Sequence, residues 1–263
     1  MNYLEAVLLG ITQGLTEFLP ISSSGHLEIG KAIMGFEALG PNSLIVTIVL
    51  HLGTAFSTIV VFRKEIYEIV LDSFKLKKNE NKLFSLKIVI SMIPAILVGL
   101  IFKNKIENLF SMNLIFVGTM LLITAFLLFI ADQTLKNKKE ISYTSALILG
   151  IVQAVAILPG ISRSGSTIAI AVLLGIDREI SARFSFLMVL PLIFGSMIKS
   201  FLDFGWTLEV SNISSLFIGF ISSFLFGIIA CRWMISIVKK SQLKYFGFYC
   251  IIVGGLTLFY GLF

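Results

Sequence analysis

Long apolar runs broken by short basic stretches set the pattern of this chain. The runs fall at about 43–62, 84–102, 112–131, 184–204, 214–238 and 245–263. Each approaches the roughly 20 residues that a helix needs to cross a bilayer. They are apolar on every face, which disfavours amphipathic helices lying on a surface. Two further apolar pieces, 145–158 and 166–176, are too short to span, and Pro159-Gly160 with a Ser-rich turn separates them. They predict a helix–loop–helix hairpin that enters the membrane and returns to the same side. The expected fold class is an all-α integral membrane protein, a single membrane domain over 1–263.

The pattern repeats. Leu9, Gly10, Ile11 and Gln13 match Leu149, Gly150, Ile151 and Gln153, at an offset of 140 without a gap. Ile21, Ser22, Ser24 and Gly25 match Ile161, Ser162, Ser164 and Gly165. Repeat 1 covers about 1–135 and repeat 2 about 140–263, so residues 4–35 are expected to form a second hairpin. The sum is six spanning helices plus two re-entrant hairpins. Residues 1–21 are apolar enough to imitate a signal peptide, but they lack a basic start and Gln13, Thr16 and Glu17 interrupt them. No cleaved segment is expected.

Charge sets the orientation. Composition is 57% hydrophobic and 14% charged, with net charge +6 and mean hydropathy +0.97, too apolar for an ordinary soluble domain. The basic residues sit in loops between apolar runs, which argues for topology and against a nucleic-acid partner. Loops 63–83, 132–144, 177–183 and 239–244 hold 14 Lys and Arg and read as cytoplasmic. Loops 103–111 and 205–213 hold 2 and read as external. These counts work only if the two halves have opposite orientations, an inverted-topology repeat of the kind common in transporters. Cys231 and Cys250 show no ligand spacing and read as packing residues.

The two copies differ where chemistry is divided. Gln13 and Glu17, four apart, share a helix face, and Pro20 with Ser22-Ser23-Ser24-Gly25 then breaks that helix before His26. Glu17, Ser23 and His26 can thus converge. In the second loop, Arg163 and the hydroxyls of Ser162, Ser164 and Thr167 lie at a helix start, where free N–H groups favour phosphate. An ionisable residue at membrane depth is expensive and is a functional hypothesis by default. The alternatives are a Ser-rich turn satisfying its own backbone, and an Arg163 that only neutralises Glu17. His51 is expected to make a helix–helix hydrogen bond. Lys199 and Asp203 read as an i,i+4 pair, and Asp177 as an N-cap.

Gln13-Gly-Leu-Thr-Glu17-Phe-Leu-Pro-Ile-Ser-Ser-Ser-Gly-His26 and Pro159-Gly-Ile-Ser-Arg-Ser-Gly-Ser-Thr167 resemble the two signature motifs of the bacterial undecaprenyl-diphosphatase, or bacitracin-resistance, family. Phe184-Ser-Phe-Leu-Met-Val-Leu-Pro191 also fits, and the resemblance covers essentially the whole chain. It implies hydrolysis of undecaprenyl diphosphate to the monophosphate, which recycles the carrier of cell-wall synthesis. It implies a multi-pass protein of the bacterial cell (inner) membrane, with membrane lipid around it and the site opening externally. Oligomeric state stays open, a homodimer among the alternatives. Glu17, Ser23, His26 and Arg163 match the family's key positions, with Gln13, Ser22, Ser24, Ser162, Ser164 and Thr167 expected to contact substrate. Some members carry Glu in place of Gln13, which weakens any scheme needing two carboxylates on one metal.

On this reading Ser23 attacks the terminal phosphorus with His26 as acid/base. Glu17 orients His26 or helps hold a divalent cation, Mg or Ca, bridging the phosphates. Direct attack by water is the rival. A transporter for an anionic lipid fits the inverted repeat equally well, but it has no need of Ser23 and His26 beside a phosphate cradle. The phosphatidic-acid type of lipid phosphatase is disfavoured, because no His follows residue 51.

Overall fold

A computed structural model of the chain describes residues 1–33, 41–75, 79–102, 105–106, 109, 113–134, 138–204, 213–240 and 242–262. Among them run α1 (Tyr3–Phe18), α2 (Ser23–Ile33), α3 (Pro41–Val61), α4 (Arg63–Ser73), α5 (Glu80–Ile101) and α6 (Leu114–Asp132). They are followed by α7 (Tyr143–Val155), α8 (Arg163–Leu173), α9 (Arg178–Met188), α10 (Leu190–Phe204), α11 (Ile213–Lys239) and α12 (Lys244–Leu262). Five helical stretches among the described residues are long and apolar enough to cross a membrane, and α3 with α4 makes a sixth if that bent pair is one span. Large apolar side chains such as Val89, Leu97, Phe126, Ile229, Ile252 and Phe259 are exposed. An apolar belt of that extent needs lipid around it, and the chain is a multi-pass membrane protein.

Several helix starts are fixed by side chains. Asn2 and Glu5 form a reciprocal capping box on α1, with Glu5 N–H donating to Asn2 Oδ1 at 2.8 Å and Asn2 N–H to Glu5 Oε2 at 2.7 Å. Such caps satisfy N–H groups left free in a first turn. Asp177 caps α9 as expected, accepting from Glu179 N–H at 2.9 Å and Ile180 N–H at 3.2 Å.

The first arm of each motif hairpin packs on a helix from the other half of the chain. α1 packs along α11, and α7 along α5. At the first interface backbones nearly touch: a Cβ on Gly14 would sit 2.7 Å from Ser223 O. At the second, a Cβ on Gly150 would sit 2.5 Å from Ser91 O. α6 and α12 pack against each other, and α6 also contacts both α2 and α8. The ends of the second hairpin are strapped together, with Lys139 N–H donating to Gly175 O at 3.2 Å and Asp177 N–H to Lys139 O at 3.0 Å.

Three expectations change. Residues 63–73 belong to the loop 63–83 in sequence, yet they form α4, turned 83° from α3. Ile66, Ile69 and Val70 interleave there with Arg63, Lys64, Glu65 and Glu68, an amphipathic pattern that the density of charge obscures. Nor do Ser23, Ser24 and Gly25 break the first helix. The break spans Leu19–Ser22, and α2 already begins at Ser23. Ser22 takes φ +71, a left-handed value unusual for a residue with a side chain, and this makes the reversal. Hairpin arms 145–158 and 166–176 become helices Tyr143–Val155 and Arg163–Leu173. The loops 103–111 and 205–213 fall largely outside the described residues, as does the Asp203 side chain.

Candidate active site

Both motif loops meet. Ser22 caps α2 by accepting from Gly25 N–H at 3.2 Å, and Ser162 caps α8 by accepting from Gly165 N–H at 3.0 Å. Each loop then reaches the other's backbone. Ser22 Oγ donates to Ile161 O at 3.4 Å, and Ser164 Oγ donates to Leu19 O at 3.2 Å. The contact is close because it is made by glycines: a Cβ on Gly25 would lie 3.1 Å from Gly160 Cα. Gly160 itself has φ +97, which only glycine adopts freely.

Glu17 stands at the centre, 7% exposed. Its Oε1 accepts from the Arg163 guanidinium, which joins the two copies of the repeat. Its Oε2 accepts from Ser23 Oγ at 2.7 Å and from Gln13 Nε2 at 3.0 Å. His51 Nε2 lies 3.7 Å from the same oxygen. His51 Nδ1 donates to Thr47 O at 2.8 Å, so its other nitrogen faces Glu17. Arg163 is held from behind by Ser185 O, 3.0 Å from its second terminal nitrogen. A buried carboxylate needs such company, since desolvation of an unpaired charge costs several kcal/mol, roughly.

These groups line a cavity of about 230 Å³. Glu17, Ser23, Ser24, His51 and Arg163 lie on its wall, as do Glu28, Lys31 and Thr47, and Ile157, Val189 and Ile193 add apolar surface. The structure brings together Glu17, Ser23 and Arg163 as expected from sequence, with Gln13 buried behind them. It does not bring His26 to them. The His26 ring donates from Nδ1 to Ser22 O at 2.8 Å, and its Nε2 meets the Tyr249 hydroxyl at 2.8 Å. It also stacks on that ring, and it does not line the cavity.

The second-loop hydroxyls are also placed differently. Ser162, Ser164 and Thr167 are each 1% exposed and stand behind the wall. Ser162 is the cap, Ser164 ties down Leu19, and Thr167 Oγ1 pairs with Ser185 Oγ at 2.7 Å. They hold the Arg163 loop in shape rather than face the cavity.

His51, expected to make a helix–helix hydrogen bond, stands on α3 facing Glu17 on α1 across the cavity wall. The available signal was a polar stripe, Thr47, His51, Thr54 and Thr58, recurring at helical spacing on otherwise apolar α3. Thr54 extends the network, with Gln13 Nε2 at 3.4 Å from its hydroxyl.

The family comparison decides the relationship. The model described as "Bacitracin resistance protein BacA" matches residues 6–256. The chain belongs to the bacitracin-resistance protein family. Among its curated relatives, the undecaprenyl-diphosphatase of Christiangramia forsetii is 55% identical over 254 residues, 97% of this chain and 96% of that protein. The undecaprenyl-diphosphatase of Bacteroides fragilis is 47% identical over 265 residues, 98% of each. That of Methanococcus vannielii is 40% identical over 267 residues, 98% of this chain and all of the relative. The family's membership thus spans both motifs, the cavity and every helix that frames it.

For a metal, the described residues contain no group of three or more His, Cys, Asp or Glu side chains suited to an ion. Glu17 has both oxygens committed to neighbours. Glu17 would hold a cation only by giving up one of these neighbours.

Proposed function

We infer that the chain hydrolyses undecaprenyl diphosphate to undecaprenyl phosphate and inorganic phosphate, which returns the lipid carrier to cell-wall synthesis and underlies bacitracin resistance. The observation that carries the chemistry is Ser23 donating its hydroxyl proton toward Glu17 while Arg163 stands on the same carboxylate. Glu17, rather than His26, is the base. As Ser23 Oγ forms its bond to the terminal phosphorus, its proton passes to Glu17. The bridging P–O bond breaks, and its electron pair leaves on the prenyl monophosphate. Protonation removes the negative charge that held Arg163, which then pairs with the transferring phosphoryl group. Water next attacks the phosphoserine, Ser23 leaves with the proton from Glu17, and inorganic phosphate departs. A divalent cation, Mg or Ca, fits as an ion arriving on the diphosphate, where it would neutralise phosphate charge with Glu17 as a protein ligand. No step above depends on it.

The same reading makes the fold an inverted-topology repeat with two re-entrant hairpins. Its support is the exchange of contacts, α1 on α11 and α7 on α5, which the repeat maps onto one another. The Lys139–Asp177 strap supports re-entry, because it places the chain entering and leaving the second hairpin side by side. Basic loops put that strap in the cytoplasm, so α3 descends from the outside toward Arg63 and Lys64. Thr47 lies in its first half and His51 at its middle, which supports a cavity opening externally.

The test is phosphate release from a C55 diphosphate by purified protein in detergent, followed by acid quench. Ser23→Ala is expected to lose turnover at least about a hundredfold, and the wild type to yield a trapped phosphoserine. A Ser23→Ala protein at near-normal rate would leave water as the nucleophile. No phosphate release from the wild type would refute the phosphatase reading.

A further inference from the structure

The mechanism uses one part of the cavity. Elsewhere on its wall, Lys31 Nζ meets Glu28 Oε1 at 2.9 Å and donates to Thr47 Oγ1 at 3.3 Å. The Glu28 side chain is 2% exposed and that of Lys31 12%, so the acid is the more buried partner. Glu17 and Arg163 are arranged alike, at 7% and 14%. Two ion pairs therefore face one cavity, each with its carboxylate more deeply buried than its cation. His51 links them, bonded to Thr47 O through Nδ1 and facing Glu17 through Nε2. Stability is a poor reason for this layout, because burying an ion pair rarely gains over apolar packing. An anion with two charged groups has a use for both cations.

We propose that Lys31, seated on Glu28 and sharing the cavity with Arg163, is a second phosphate-binding cation. It grips the prenyl-side phosphate of a diphosphate while Arg163 grips the terminal one. The inference rests on the phosphatase reading and adds the source of its specificity. A diphosphate engages both cations, whereas a monophosphate engages one at a time, so substrate is held and product is released. Thr47 and Glu28 position the ammonium, and the substrate phosphate replaces part of its contact with Glu28.

The experiment compares wild type, Lys31→Met and Lys31→Arg in detergent. It reads kcat and KM for C55 diphosphate, inhibition by a non-hydrolysable prenyl methylenebisphosphonate and by a prenyl monophosphate, and the melting temperature. Lys31→Met should raise KM and weaken the bisphosphonate by about tenfold or more, the scale of a lost charge-assisted contact. Inhibition by the monophosphate should stay within about threefold, and Lys31→Arg should restore bisphosphonate affinity, because a guanidinium keeps the charge. The proposal is overturned if bisphosphonate inhibition is unchanged in Lys31→Met, or if both inhibitors weaken equally. It is also overturned if Lys31→Arg fails to recover while the melting temperature is intact. A wild type that binds the bisphosphonate over the monophosphate but releases no phosphate would sink the phosphatase reading and leave the two-cation cradle standing.

Discussion

Gly25→Ala tests the apposition of the two loops with a single methyl group. Its carbon would lie 3.1 Å from Gly160 Cα, 3.2 Å from Ser22 Oγ and 3.4 Å from Gly160 N. Gly160 has little room to retreat, since its own Cβ position is 2.5 Å from Val117 O on α6. Thr124 holds the same segment, bonded to Gly160 O at 3.2 Å and to Ser162 N–H at 3.0 Å. The loops must therefore part by a few tenths of an ångström. Overpacking of this kind costs about 1–3 kcal/mol, and replacing glycine in a helix returns about 1 kcal/mol. The net loss of stability is small, roughly 0–2 kcal/mol. Activity should respond more, because Ser23 and Arg163 flank the contact from opposite sides. A 1 Å misplacement costs about a hundredfold, so a shift of half that size corresponds to roughly tenfold in kcat. Phosphate release and melting temperature are measured together, with Gly255→Ala as control, where an added Cβ meets nothing within 4 Å. Gly25→Val should fall further. Wild-type kcat in Gly25→Ala at unchanged melting temperature would refute the claim that this contact sets the distance between Ser23 and Arg163.

Three other perturbations read the site. Arg163→Lys keeps the charge but cannot hold both Ser185 O and Glu17, so kcat should drop about a hundredfold or more with the protein still folded, measured by phosphate release and melting temperature. His51→Ala should lower kcat more than His26→Phe does, by about tenfold or more if His51 shares in proton transfer at Glu17. His26→Phe should mainly lower the melting temperature by removing the Ser22 and Tyr249 bonds, and the reverse ranking in kcat would reinstate His26 as acid/base. Gln13→Glu places a second carboxylate where Gln13 Nε2 now donates to Glu17 at 3.0 Å. Two such charges need a proton or a cation between them, so its activity should become more sensitive to chelator than that of the wild type.

Much of the site was legible because it is written twice. Serines at 22 and 162 and glycines at 25 and 165 recur in register, and the break from symmetry at Glu17 and Arg163 marks the ion pair. What escaped was direction. Ser23 and His26 are three apart on α2, yet one faces Glu17 and the other Tyr249 on α12. Only the packing of α12 decides that, and no local spacing encodes it. His51 escaped for a related reason, since its repeat counterpart is Pro191 and the duplication carries no hint of it. α4 was masked by Arg63 and Lys64 together with its acidic residues, which mark a loop in one reading and the polar face of an amphipathic helix in another.

The exchange of arms between halves has a consequence for assembly at the ribosome. α1 is synthesised long before the surface it lies against, on α11. Until then Gln13, Thr16 and Glu17 must wait on an unfinished wall, with Arg163 also still to be made. Folding of this chain therefore closes backward onto its own earlier helices, and the cavity shared by Glu17 and Arg163 cannot form until the second half has emerged.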